Sequence, residues 1–123
     1  MSNPDIIIYT DGSSRGNPGP GGYGIVMLKS GTNYKKEFSE GFKKTTNNRM
    51  ELLGVIVALE KITKENQKIH VFTDSTYVSE SVEKKWVFNW QKKGFKNRKN
   101  ADLWIRFLKI YNKHTVKFFW VKG

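Results

Sequence analysis

Between residues 12 and 22 the chain places Gly12, Gly16, Gly19, Gly21 and Gly22 together with Pro18 and Pro20, a density that excludes a helix or a central strand through the segment. The residues alone read as a loop. Just before it, Ile6 to Thr10 is a continuous apolar and β-branched run that stops at Asp11-Gly12, the pattern of a buried strand entering a turn. A fold built on this sequence therefore starts with a short strand that delivers an aspartate to the mouth of a glycine-rich connection.

The rest of the chain alternates the two periodicities. Tyr23 to Leu28 and Tyr34 to Phe42, separated by a turn around Ser30-Gly31, read as two more strands of an antiparallel meander. Thr46 is placed to cap a helix whose apolar positions Leu52, Val55, Ile56, Leu59 and Ile62 follow helical spacing, and Leu53 and Val57 widen that face. Ile69 to Thr73 is a further strand, and Asp74-Ser75 has the chemistry of a helix start. A short helix through Val82, another from Trp86 to Trp90, a longer one from Ala101 to Lys113 and a last strand from Thr115 to Val121 complete the order. Three strands, a helix, a strand, helices and a strand make an α/β sheet with an antiparallel edge. The length of 123 residues fits a single domain over 1–123.

Lysine and arginine outnumber aspartate and glutamate by 22 to 11, a net charge of +11, which favours a polyanionic partner such as nucleic acid. With no cysteine, disulfide frameworks and thiolate metal sites are excluded, which suits a cytoplasmic location. The first eight residues have no basic segment ahead of a short apolar run, so neither a targeting signal nor membrane association is expected.

Asp11 and Asp74 each follow a short apolar strand, and ligands of open α/β sheets gather outside the carboxyl ends of strands. Glu51, in the first turns of the central helix, lies opposite the apolar face and so is expected to point into the same crevice. Taken singly, each acid has an ordinary reading: a turn aspartate, a helix cap, a glutamate favoured by the helix dipole. Three convergent carboxylates would repel one another unless a cation sat between them. Mg²⁺ suits an oxygen-only donor set, and a pair of such ions serves in-line phosphoryl displacement. His70 and His114 both lie next to strands and read as structural.

The strings Tyr9-Thr10-Asp11-Gly12-Ser13, Gly16-Asn17-Pro18-Gly19-Pro20-Gly21-Gly22-Tyr23-Gly24, Thr45-Thr46-Asn47-Asn48-Arg49-Met50-Glu51-Leu52 and Thr73-Asp74-Ser75 resemble, in order, the bacterial ribonuclease HI family. Trp86, Asn89-Trp90, Asn100, Asp102-Leu103-Trp104 and the ending Trp120-Val121-Lys122-Gly123 extend the likeness over nearly the whole chain. The resemblance implies a ribonuclease H-like mixed five-stranded sheet, its first three strands antiparallel and followed by a fourth and a fifth, with helices on both faces. It also implies an endonuclease that hydrolyses the RNA strand of RNA/DNA hybrids with two Mg²⁺ ions, Mn²⁺ substituting, leaving 5′-phosphate and 3′-hydroxyl ends. Asp11, Glu51 and Asp74 match the family's catalytic, metal-binding carboxylates. Asn17, Asn47 and Asn48 match contacts to the RNA strand, where 2′-hydroxyls distinguish RNA from DNA. Lys44, Thr46 and Asn100 match positions that hold a phosphate of the DNA strand. Trp86, Trp90, Lys84, Lys85, Lys92, Lys93 and Lys96 fall in the family's basic protrusion, with Trp86 the foremost contact and Phe88 or Trp90 expected to be at least partly structural.

Two departures from the family pattern carry expectations of their own. Thr76 stands where the family usually has a glutamine that reaches the minor groove, which predicts a weaker or water-mediated contact to the RNA strand. The family also continues past the position of Gly123 with a histidine-bearing loop and a fourth metal-binding aspartate. On that comparison the alternative is a hybrid-binding module with weak or lost turnover, or one completed by a second chain or segment.

Overall fold

The computed structural model describes residues 3–123, so the first two residues of the segment in which no targeting signal is expected lie outside the described residues. Five strands, β1 (Ile6–Ser14), β2 (Gly19–Lys29), β3 (Lys35–Thr45), β4 (Lys68–Thr73) and β5 (Thr115–Trp120), form one sheet of order β3-β2-β1-β4-β5. β1 pairs antiparallel with β2 and β2 with β3, whereas β4 runs parallel to both β1 and β5. The helices are α1 (Asn47–Glu60), α2 (Thr76–Glu83), α3 (Trp86–Lys92) and α4 (Ala101–Tyr111). This is the mixed five-stranded sheet that the sequence implied.

The glycine-rich segment corrects the reading of residues 12–22 as a loop. β1 continues to Ser14 and β2 begins at Gly19, with Gly12 opposite Tyr23 and Ser14 opposite Gly21, which leaves only residues 15–18 as the connection. The reason is close packing. A Cβ on Gly12 would lie 2.5 Å from the Met50 carbonyl carbon, so the glycine admits the backbone of α1 against the strand rather than breaking the strand.

One core lies between the sheet and the helices. Ile8 of β1, Tyr23, Ile25 and Met27 of β2, Ile69 and Val71 of β4, and Val116 and Phe118 of β5 project to that side by their registers. They meet Leu52, Val55, Ile56 and Leu59 of α1, Val78 and Val82 of α2, and Trp104 and Phe107 of α4. The opposite side carries Tyr9, Phe72 and Phe119 as a stacked row with centroid spacings of 5.0 Å, and Tyr9 is 44% exposed. The expectation of helices on both faces therefore holds for one face among the described residues, because every helix with apolar positions in the core feeds the same side. Both histidines are structural: His114 Nδ1 accepts from the Gln67 N–H at 3.2 Å, and His70 packs on Phe119.

Candidate active site

β1 and β4 are parallel neighbours, with Thr10 opposite Thr73, so the residues that follow them emerge side by side. Asp11 continues β1 and Asp74 comes directly after β4. Asp74 is not spent on the helix it precedes. Ser75 Oγ caps α2 by accepting from the Val78 N–H at 3.1 Å, and the Ser75 N–H donates to Thr73 Oγ1 at 3.1 Å.

Glu51 reaches the same place from α1. The Thr46 hydroxyl starts that helix by accepting the Arg49 N–H at 3.3 Å. Close approach at Gly12 then lays the first turns over the end of β1, and the Gly12 N–H donates to Glu51 Oε1 at 2.6 Å. The expected polar face around Glu51 is corrected here: Glu51 is only 8% exposed, because α1 is sandwiched between β1–β2 and α4 and is buried on most sides. One carboxylate oxygen of each of Asp11, Glu51 and Asp74 lies within 4.8 Å of the others. Burial, and next the neighbouring Asp74 carboxyl, push Glu51 up to about 8, against the opposing pull of the Gly12 N–H. Asp74 Oδ1 is buried without a hydrogen-bond partner among the described residues.

The end of β5 closes over this corner. Trp120 Nε1 donates to the Asp74 carbonyl at 2.9 Å, and the Val121 N–H donates to the Thr73 carbonyl. Gly123 lies so near that a Cβ there would overlap the Asp74 carboxylate.

The other sequence-derived residues fall into three groups. Asn17 is exposed in the β1–β2 connection, Asn48 is exposed in the first turn of α1, and Thr76 is exposed at the start of α2. Asn47 Oδ1 accepts from the Ser14 N–H at 2.5 Å, which ties α1 to the glycine-rich strand end. Lys44 is exposed near the end of β3. Thr46 is linked to Asn100 through Arg49, whose guanidinium donates to Asn100 Oδ1 at 3.1 Å. In the third group Trp86 is 42% exposed with the Lys84 ammonium over its ring, and Lys85, Lys92, Lys93 and Lys96 are exposed. Trp90 is half-buried, edge-on to Trp104 with Arg98 over its ring, so it is held on both sides. The long-range pairing of Arg49 with Asp102, and the hydroxyl of Tyr77 between Asn100 and Trp104, had no local signal in the sequence.

A mixed sheet whose strand ends and covering helix bring three acids into one crevice defines a class, the α/β proteins with a carboxylate centre able to hold a divalent cation. Residues 3–123 match the RNase H family model. The chain is 52% identical over 124 residues to ribonuclease H of Desulforamulus reducens, covering 97% of this chain and 76% of that protein. Against ribonuclease H of Pseudoalteromonas translucida it is 52% identical over 123 residues, 96% of this chain and 77% of that protein. The chain belongs to the ribonuclease H family. Among solved structures, LC9-RNase H1, a type 1 RNase H with the type 2 active-site motif, aligns with a TM-score of 0.85 at 29% identity, covering 100% of this chain and 65% of that one. LC11-RNase H1, solved in complex with an RNA/DNA hybrid, aligns with a TM-score of 0.68 at 29% identity, covering 95% of this chain and 85% of that one.

Proposed function

We propose that this chain hydrolyses the RNA strand of RNA/DNA hybrids at the crevice formed by Asp11, Glu51 and Asp74, giving 5′-phosphate and 3′-hydroxyl ends. The meeting of these three carboxylates carries the reading. Their chemistry fits a divalent cation: the donors are all oxygens, Glu51 is pushed up by burial beside Asp74, and Asp74 Oδ1 has no hydrogen-bond partner among the described residues. Two Mg²⁺ ions, or Mn²⁺ in their place, would supply an acidified water for in-line attack and counter-charge for the leaving oxygen. No side chain then needs to act as a nucleophile.

The protein's own part is binding and orientation. The Gly12 N–H fixes the Glu51 carboxyl, and Ser75 leaves Asp74 unencumbered. Exposed Asn17, Asn48 and Thr76, with Asn47 at the strand end, offer short polar groups to the 2′-hydroxyls of an RNA strand. Lys44, Thr46 and Asn100 suit a phosphate of the DNA strand near the amino end of α1. Trp86 with Lys84, Lys85, Lys92, Lys93 and Lys96 offers a basic, aromatic surface to the duplex beyond it, supported by Trp90. That LC11-RNase H1 was solved on a hybrid supports this choice of substrate.

The test is an assay of end-labelled RNA/DNA hybrid, duplex RNA and duplex DNA with Mg²⁺, with Mn²⁺ and with EDTA, reading binding and cleavage separately. Cleavage of the RNA strand alone, abolished by EDTA, is expected. Equal cutting of duplex DNA, or binding of hybrid without any cleavage, would overturn the reading.

A further inference from the structure

Asn100 is the N-cap of α4, a position where an asparagine ordinarily turns its side chain onto its own helix. Here it makes no such bond, and its backbone sits in the left-handed region at φ 63°. The amide is used sideways instead. Arg49 donates to Asn100 Oδ1 at 3.1 Å, and Asn100 Nδ2 donates to the Tyr77 hydroxyl oxygen at 3.2 Å. The same phenol oxygen accepts Trp104 Nε1–H at 2.7 Å.

The polarity of this chain is dictated by its ends. An arginine guanidinium has donors only, so the amide oxygen must face Arg49. Arg49 is itself pinned by a two-pronged bond to Asp102, at 3.0 and 2.8 Å. An indole N–H is likewise donor only, so the phenol oxygen must serve as an acceptor toward Trp104. Trp104 is fully buried and cannot turn away. The amide nitrogen of Asn100 is therefore held on the Tyr77 side, with one N–H committed to the phenol and the second uncommitted among the described residues.

We infer that Tyr77 is a positioning residue, whose hydroxyl holds the Asn100 amide so that its remaining N–H meets a phosphate of the DNA strand. The inference rests on the reading of Asn100 as a DNA-phosphate contact. Tyr77 acts on binding through Asn100 and stays away from the reacting phosphorus. Its loss is therefore expected in KM more than in kcat.

The experiment replaces one DNA-strand phosphate of a hybrid at a time by an uncharged methylphosphonate and compares the intact enzyme with Tyr77→Phe and Asn100→Gly. Glycine keeps the left-handed backbone and deletes the amide. For the intact enzyme, one position should raise KM by about tenfold, the scale of one hydrogen bond to a charged group. Tyr77→Phe should raise KM several-fold on unmodified hybrid, with kcat changing less than KM. Both variants should lose most of their sensitivity to that one methylphosphonate while keeping their sensitivity at other positions. A merely structural role would lower the melting temperature and leave the methylphosphonate pattern intact, and that result would overturn the inference while the phosphate contact stood. If neither the intact enzyme nor Asn100→Gly distinguishes any position, the phosphate reading fails and the inference falls with it. Should Tyr77→Phe not fold, NMR of the intact protein gives the answer. The Asn100 side-chain amide is expected to be slow in exchange and to shift on adding hybrid, and an amide that averages freely would contradict it.

Discussion

Glu51 sets folding against function. A carboxyl raised from its ordinary 4.5 to about 8 in the folded protein keeps its proton where the unfolded chain has lost it. Its contribution to stability is therefore fully present below about pH 4.5, shrinks as the pH rises, and is gone once the pH passes about 8. At roughly 1.4 kcal/mol per pKa unit the loss is a few kcal/mol. The metal-free protein should thus melt about 10 °C or more lower at pH 8.5 than at pH 5 in EDTA, since each kcal/mol shifts the melting temperature of a domain of this length by roughly 3–5 °C. Glu51→Gln should flatten that slope, raise the melting temperature at pH 8.5, and abolish turnover. Thermal melts across pH check it, and a variant that keeps the full slope would assign the strain elsewhere. Asp11 and Asp74 were legible because each follows an apolar strand next to a turn or cap residue. The burial of Glu51 was not, since the spacing of α1 gives an apolar stripe, while the sheet and α4 that enclose the helix come from distant sequence.

The junction of β1 with α1 shows the same division between local and distant information. Glycine density was read as a loop because local rules penalise glycine in strands, yet Gly12 lies in β1 where the backbone of α1 crosses it. Its missing side chain and its N–H both serve the site. Gly12→Ala should push α1 off the strand, cost a few kcal/mol in denaturant melts, and reduce kcat by about a hundredfold or more through misplacement of Glu51. Wild-type turnover in a folded Gly12→Ala protein would refute the role given to this contact. The helices were legible from their periodicity and caps, Thr46 most plainly, and α3 from its aromatic spacing. That spacing alone does not tell which tryptophan faces out; the family resemblance does, with Trp86 as the foremost contact. The structure exposes Trp86 and wedges Trp90 between Trp104 and Arg98. Trp86→Ala should weaken hybrid binding with little change in melting temperature, whereas Trp90→Ala should lower both. Equal melting temperatures for the two variants would contradict that division.

A net charge of +11 coexists with a crevice where Asp11, Glu51 and Asp74 place acids against the path of the scissile phosphate. Without divalent cations, hybrid binding is then the sum of two opposed fields: attraction from the lysine-rich surface and local repulsion from the crevice. Removing one crevice charge should strengthen metal-free binding, even as it destroys the centre that turnover needs. Asp11→Asn is therefore expected to bind hybrid about two- to fivefold more tightly than the intact enzyme in EDTA at low salt, the modest size reflecting solvent screening of an exposed acid. The slope of log affinity against log salt should be nearly the same for both proteins, because it counts mainly phosphates neutralised by lysine and arginine, and slightly steeper for the variant, because salt also screens the crevice repulsion that weakens the intact enzyme. The gap between them should close as salt screens the crevice. In Mg²⁺ the variant should still bind and fail to cleave. A filter-binding titration across salt, with and without EDTA, reads all of this. Weaker metal-free binding by Asp11→Asn would mean that Asp11 contacts the hybrid directly through a hydrogen bond, and that its place is in recognition as well as in the metal centre.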